Sequence, residues 1–210
     1  AGERRRVRDL PFDAIQQRIC SSGPRASRAL MIMSARDARG PEEREPRQGL
    51  LGGVVGIAAP FGRLQATELK GLVALAANAG AVDLRLSPWR TLYFKVRDAS
   101  VLAGARALGL IVDPDDPLLR IDACPGAPDC AASSVDTRSD ARWLAGLGFA
   151  GRIHVSGCAK GCARSDPADL VLVGDSGGYG VAHDATARGV MERRVSRPGL
   201  AALLAEERRG

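Results

Sequence analysis

The sequence predicts an α+β protein in which a β-α-β-β-α unit precedes a second α/β segment that carries the chemistry. Three observations lead there. Short aliphatic runs alternate with helical apolar periodicities from Gly49 onward. Gly, Pro and Asp clusters punctuate those runs at short intervals. Four of the five cysteines stand in two glycine-rich turns, "ACPGAPDCAASS" at 123–134 and "HVSGCAKGCARS" at 154–165.

The elements follow in chain order. "FDAIQQRIC" and "RASRALMIM" read as short helices, the first ending in Cys20, a packed or free thiol. "SARDARGPEEREPRQG" (34–49) is charged, holds two prolines and two glycines, and reads as a linker. "GGVVGIAA" (52–59) is a buried strand. "ATELKGLVALAANAG" (66–80) is a helix with Thr67 as N-cap, Leu69, Leu72, Val73 and Ala76 on one face, and Gly80 as its stop. "VDLRL" and "RTLYFKV" are strands joined at "SPW". "DASVLAGARALG" (98–109) is a helix capped by Asp98 and stopped by Gly109. This order matches a ferredoxin-like half-domain.

"DPDDP" (113–117) turns the chain into the second segment. "DARWLAGLG" (140–148) is a helix, "RIHVSG" a strand into the second cysteine turn, and "ADLVLVGD" a further strand. "SGGYG" makes a hairpin with "VAHDA". "PGLAALLAEERR" is a terminal helix with Pro198 near its first turn. The chain thus divides into an arm and linker (1–48), the half-domain (49–112) and the site-bearing segment (113–210).

Composition narrows the function classes. Apolar residues make up 45% and aromatics 4%, so aliphatic side chains and alanine fill the core. Of the net charge of +6, +4 sits in residues 1–48, which argues against a global nucleic-acid surface. The apolar run "GLLGGVVGIAAPFG" is too short to span a bilayer and is broken by Pro60, so no membrane partner is expected. The start "AGERRRVRDL" has no apolar core of a secretory signal, so a reducing cytoplasm is the expected compartment. No paired carboxylates, Ser–His–Asp order or phosphate loop stands out, and "GDSGG" (174–178) lacks an accompanying catalytic pattern.

Clustered thiols in a reducing compartment read as metal ligands. Cys124-x5-Cys130 is wider than a zinc knuckle and suits a cubic iron–sulfur cluster; Cys158-x3-Cys162 completes a set of four. Gly126, Ala127, Gly157, Ala159, Gly161 and Ala163 let backbone approach a bulky inorganic group. Buried structural thiols, a disulfide pair or a zinc clip are the alternatives. Arg85 and Arg90 flank "SPW" and suit carboxylates of a ligand through charge-assisted bonds, or else they are exposed strand-end arginines. Lys160 lies between two cysteines, and Arg164 follows them. His154 is either a satisfied structural histidine or a hydrogen-bonding neighbour of the cysteine site. His183 reads as a hairpin-surface residue, and Trp89 and Trp143 as core.

The cysteine order and spacing, a gap of 27 residues between the two pairs, and the preceding β-α-β-β-α unit resemble the nitrite/sulfite reductase superfamily. Assimilatory reductases of that superfamily typically read C-P-N-G-C in the second turn. "HVSGCAKGCA" and "DLRLSPWRTLYF" are instead similar to its precorrin-3B synthase branch. The resemblance implies a [4Fe-4S] cluster on Cys124, Cys130, Cys158 and Cys162, facing a tetrapyrrole. In the siroheme branch it implies that Cys162 also bridges to the siroheme iron. In the precorrin branch it implies O2-dependent hydroxylation and lactone formation on precorrin-3A, with electrons from an unidentified donor relayed by the cluster. Such enzymes have two pseudo-symmetric halves. The resemblance implies that this chain corresponds to the C-terminal one, as a fragment, a truncated product or one piece of a split enzyme.

Overall fold

A computed structural model describes residues 48–51, 53–87 and 90–207, all within one compact unit, Pro46–Gly210. The two expected N-terminal helices, Cys20, nearly all of the linker, Trp89 and the last three residues lie outside the described residues.

The first sheet has the order β1-β2-β4-β3 and is antiparallel throughout. β1 (Gly49–Leu51) and β2 (Val54–Ala58) form a hairpin, followed by a 3-10 turn (Pro60–Gly62) and helix α1 (Ala66–Asn78). β3 (Arg85–Leu86), β4 (Thr91–Lys95) and α2 (Ser100–Ala107) complete the unit. The β-α-β-β-α order is therefore present, with β1 as an added edge strand that the linker composition concealed.

Two details of α1 depart from the sequence reading. The N-cap is Gln65 rather than Thr67, because Gln65 and Glu68 exchange side-chain and backbone bonds in a capping box. The buried positions are Leu72 and Ala76, while Leu69 and Val73 are 40% and 52% exposed. At the contact with α2, a Cβ on Gly104 would stand 2.6 Å from Leu75, so the two helices meet closely at Leu75. Val55, Ile57, Leu72, Leu92, Phe94, Val101 and Ala105 form the core of this layer.

The second sheet has the order β5-β6-β7-β8-β9. β5 (Ile121–Ala123), β6 (Ile153–Ser156) and β7 (Ala168–Asp175) are parallel; β8 (Gly178–Ala185) and β9 (Arg193–Ser196) continue antiparallel. Helices α3 (Thr137–Ala145) and α4 (Leu200–Glu207) supply Ala141, Leu144, Leu200, Leu203 and Leu204 against Ile121, Ile153, Val155, Leu170 and Leu172. α3 begins earlier than expected because Asp136 accepts a hydrogen bond from the Ser139 N–H and caps it. β9 was not foreseen: its exposed, Arg-rich segment carries no strand alternation.

On this face Tyr179 donates to Asp140 at 2.6 Å and the Arg197 guanidinium donates to the same carboxylate at 2.5 Å. Burial, then the bond to Asp140, pushes the Tyr179 phenol far above its ordinary value. Trp143 is half-buried, with the Arg197 guanidinium stacked 5.3 Å from its ring centroid, so it is an edge of the core rather than its centre.

His183, on β8, stands between Glu192 and Glu207, with ring nitrogens 2.8 Å and 3.0 Å from the two carboxylates. Its bond to Glu192, opposed by desolvation and aided by Glu207, raises its pKa above the ordinary 6.5. A raised folded-state pKa contributes stability that is complete below 6.5 and fades as pH climbs through the folded value. Unfolding stability is therefore expected to fall as pH rises from 6.5, and His183→Gln to flatten that slope. Parallel slopes in urea melts across this range would contradict the assignment.

Candidate metal and anion site

β5 and β6 are neighbours and run parallel, with Ile121 opposite Ile153 and Ala123 opposite Val155. Each strand leads directly into a cysteine turn at its carboxyl end. Ala123 is followed by Cys124, and Ser156 by Gly157 and Cys158. The two turns thus leave the same edge of one sheet side by side, where open α/β sheets gather their ligands.

Local bonds tie the turns together. The Gly157 N–H donates to the Cys124 sulfur at 3.2 Å. Thr137, at the start of α3, donates to the Cys124 carbonyl at 2.6 Å, and its hydroxyl lies 3.8 Å from the Cys124 sulfur. Ser156 donates to the Cys158 carbonyl at 2.7 Å. A Cβ on Gly157 would collide with the Ser133 side chain and lie 3.5 Å from the Cys124 sulfur.

All four cysteines are free thiols, Cys124 buried, Cys130 and Cys158 half-buried and Cys162 exposed. The disulfide alternative is therefore absent from this structure. Among the described residues no three His, Cys, Asp or Glu side chains converge on the position of one metal ion. Cys124 already accepts a backbone N–H, as a ligand thiolate would. The small residues around it leave backbone on the site side of both turns.

The face of the sheet opposite α3 and α4 holds Asp122, His154 and Ser156, on alternate positions of β5 and β6. Asp122 is 6% exposed, and three guanidinium groups close on its carboxylate. Arg90 donates to it at 2.5 Å, and Arg152 and Arg164 each at 3.5 Å. Arg90 and Arg164, chosen from sequence for separate reasons, thus meet at one carboxylate. Arg90 reaches it from the first sheet with a φ of 62°, a left-handed conformation that a non-glycine residue holds only under constraint. Arg85 is placed elsewhere, exposed on β3 and paired with Asp83 at 3.5 Å. Lys160 is exposed in the second turn, and its carbonyl accepts from Arg188 at 3.3 Å.

Asp122 and Arg152 were missed in the sequence. The available signal was an acid in the apolar run "LRIDAC", two residues before the first ligand cysteine. His154 is fully buried, and neither of its ring nitrogens has a hydrogen-bond partner among the described residues. It is not a satisfied structural histidine. Burial drives its pKa down, and the nearby Asp122 carboxylate opposes that fall.

Comparisons with known proteins place this geometry. No protein-family model matches the chain. The chain is related to the nitrite/sulfite reductase superfamily. It is 30% identical to a precorrin-3B synthase from Sinorhizobium sp. over 161 residues, which is 72% of this chain and 35% of that protein. It is 32% identical to sulfite reductase (ferredoxin) 2 of Mycolicibacterium paratuberculosis over 136 residues, 57% of this chain and 24% of that one. Among solved structures, the Mycobacterium tuberculosis NirA protein superposes with a TM-score of 0.60 at 26% identity, covering 74% of this chain and 34% of that one. The chain spans about a third or less of the length of these relatives.

Two substitutions probe the site. Gly157→Ala is expected to push the two cysteine turns apart and to lower stability by about 1–3 kcal/mol; an unshifted urea midpoint would show that they do not pack as described. Asp122→Asn removes the charge that three arginines share. It is expected to cost about 1–3 kcal/mol, and added sulfate to restore part of the loss; a midpoint equal to that of the unaltered chain would overturn the convergence.

Proposed function

We propose that the chain is the iron–sulfur and tetrapyrrole-facing half of an oxidoreductase resembling precorrin-3B synthase. The observation that carries this reading is the pair of cysteine turns leaving the carboxyl ends of adjacent parallel strands, joined by the Gly157 N–H on the Cys124 sulfur. Cys124, Cys130, Cys158 and Cys162 would hold a [4Fe-4S] cluster. Sulfurs around a single tetrahedral zinc stand about 3.8 Å apart, given Zn–S distances of about 2.3 Å. The wide Cys124–Cys130 loop favours the larger group. When bound, the cluster supplies one-electron transfer.

The arginines give the site its second half. Arg90, Arg152 and Arg164 carry three positive charges against the single Asp122 carboxylate, and each remains partly exposed. Two charges are left for an anionic ligand. Precorrins bear many carboxylates, and guanidinium groups bind carboxylates through paired N–H donors. Asp122 holds the three side chains in place, so they need not be ordered when the ligand arrives. The proposed reaction is hydroxylation and lactone formation on the macrocycle. One O2 atom enters the product and the other leaves as water, consuming two electrons and two protons. A separate electron donor is the implied partner, and a compartment that keeps the thiols reduced is the implied location. Among the described residues no helix is long and apolar enough to cross a membrane.

The test is anaerobic purification followed by iron, sulfide and zinc analysis with a visible spectrum. About four iron and four sulfide per chain, with broad brown absorbance, is the expected outcome. Sharp siroheme bands would move the reading to the sulfite and nitrite reductase branch. Zinc without iron would replace it with a structural clip. Cys162→Ser is expected to lower iron and sulfide to less than about half, and unchanged content would break the ligand assignment.

A further inference from the structure

His154 sits on β6, an interior strand of the site-bearing sheet, flanked in the β5–β6–β7 row by Asp122 and Val171. It is 0% exposed, and both ring nitrogens lack a partner among the described residues. A neutral imidazole carries one donor and one acceptor. Leaving both unpaired in the interior forfeits their hydration with nothing gained in return. The nearest acid, Asp122, is already engaged by Arg90, Arg152 and Arg164.

The ring has a definite orientation. A Cβ on Gly161 would lie 3.7 Å from Cε1 of His154, the ring carbon bonded to both nitrogens. The same point is 3.5 Å from the Arg164 carbonyl oxygen. The nitrogen-bearing edge therefore faces the underside of the turn that holds Cys158 and Cys162. Gly161, with a φ of 64° and no side chain, lets that backbone lie over the imidazole.

We propose that His154 is a positioning residue for the second cysteine turn, donating its ring N–H to a sulfur acceptor there once the cluster is held. The proposal rests on the iron–sulfur reading above. A protonated thiol is a weak acceptor, whereas a metal-bound thiolate or sulfide is anionic and accepts well. A donor to such a sulfur stabilises the reduced, more negative cluster more than the oxidised one and so raises the reduction potential. A histidine that merely packs would do neither.

The experiment uses the full chain, purified anaerobically and reconstituted with ferrous iron and sulfide, as the unaltered protein, His154→Phe, His154→Leu and His154→Gln. Three quantities are read: the redox midpoint, the rate of iron loss to a chelator, and the thermal midpoint of the cluster-free chain. The cluster-free apolar variants are expected to unfold no earlier than the unaltered chain, because they remove unpaired buried polar atoms. Once loaded, they are expected to resist reduction by about tenfold, 59 mV for a one-electron couple, and to lose iron faster. His154→Gln, which keeps an N–H, is expected to recover part of both. Fully loaded apolar variants with an unchanged midpoint and iron loss would overturn the proposal while leaving the cluster reading intact. So would loss of the cluster-free fold in both apolar variants, which would make His154 a packing residue. An unaltered chain that takes up no iron or sulfide would defeat the cluster reading itself, and the proposal with it.

Discussion

The parallel pairing of β5 with β6 is the constraint on which the site depends. Parallel neighbours present their carboxyl ends at the same edge of a sheet, so two loops far apart in sequence emerge together. The register of Ala123 with Val155 puts Cys124 level with the start of the second turn. The Gly157 N–H then reaches the Cys124 sulfur at a close approach that the glycine permits, since the Ser133 side chain occupies the place of a Cβ. α3 and α4 fill the other face, and their packing holds the sheet rigid behind the cysteines.

Asp122 plays the corresponding part for charge. It lies on β5, one residue from the apolar face and two from Cys124, and draws Arg90 from the first sheet and Arg152 and Arg164 from the second. The carboxylate compensates the guanidinium groups and orients them, which is the usual reason to retain a buried acid among cations. It also links the β-α-β-β-α layer to the site-bearing layer. Arg90 accepts a left-handed backbone for that contact, and its carbonyl receives the Ala59 N–H at 2.9 Å.

Much of the fold was legible because its signals are local. The β-α-β-β-α order, the strand into the second cysteine turn and the terminal helix follow from aliphatic runs bounded by Gly, Pro and Asp, whereas β5 and its parallel pairing with β6 appear only in the structure. Most misreadings were cases where a partner distant in sequence decided; the cap of α1 instead turned on a residue three positions away. Leu69 and Val73 were placed on one helix face with Leu72 and Ala76, yet only Leu72 and Ala76 are buried. β9 owes its strand conformation to pairing with β8, which its Arg-rich segment cannot advertise. Gln65 outcompeted Thr67 as cap because Glu68 completes a reciprocal pair with it.

The sequence by itself determined where the thiols of the candidate site lie: four cysteines in two turns, with glycine and alanine between them. What only the tertiary structure decided is which other groups share it. Asp122 and Arg152 join Arg90 and Arg164, Arg85 is placed elsewhere, and His154 is buried with its nitrogen edge toward the second turn. Spacing along a chain specifies ligands carried on a single loop. Charge pairing and burial depend on distances through space, which the sheet sets by bringing together residues separated by thirty positions or more.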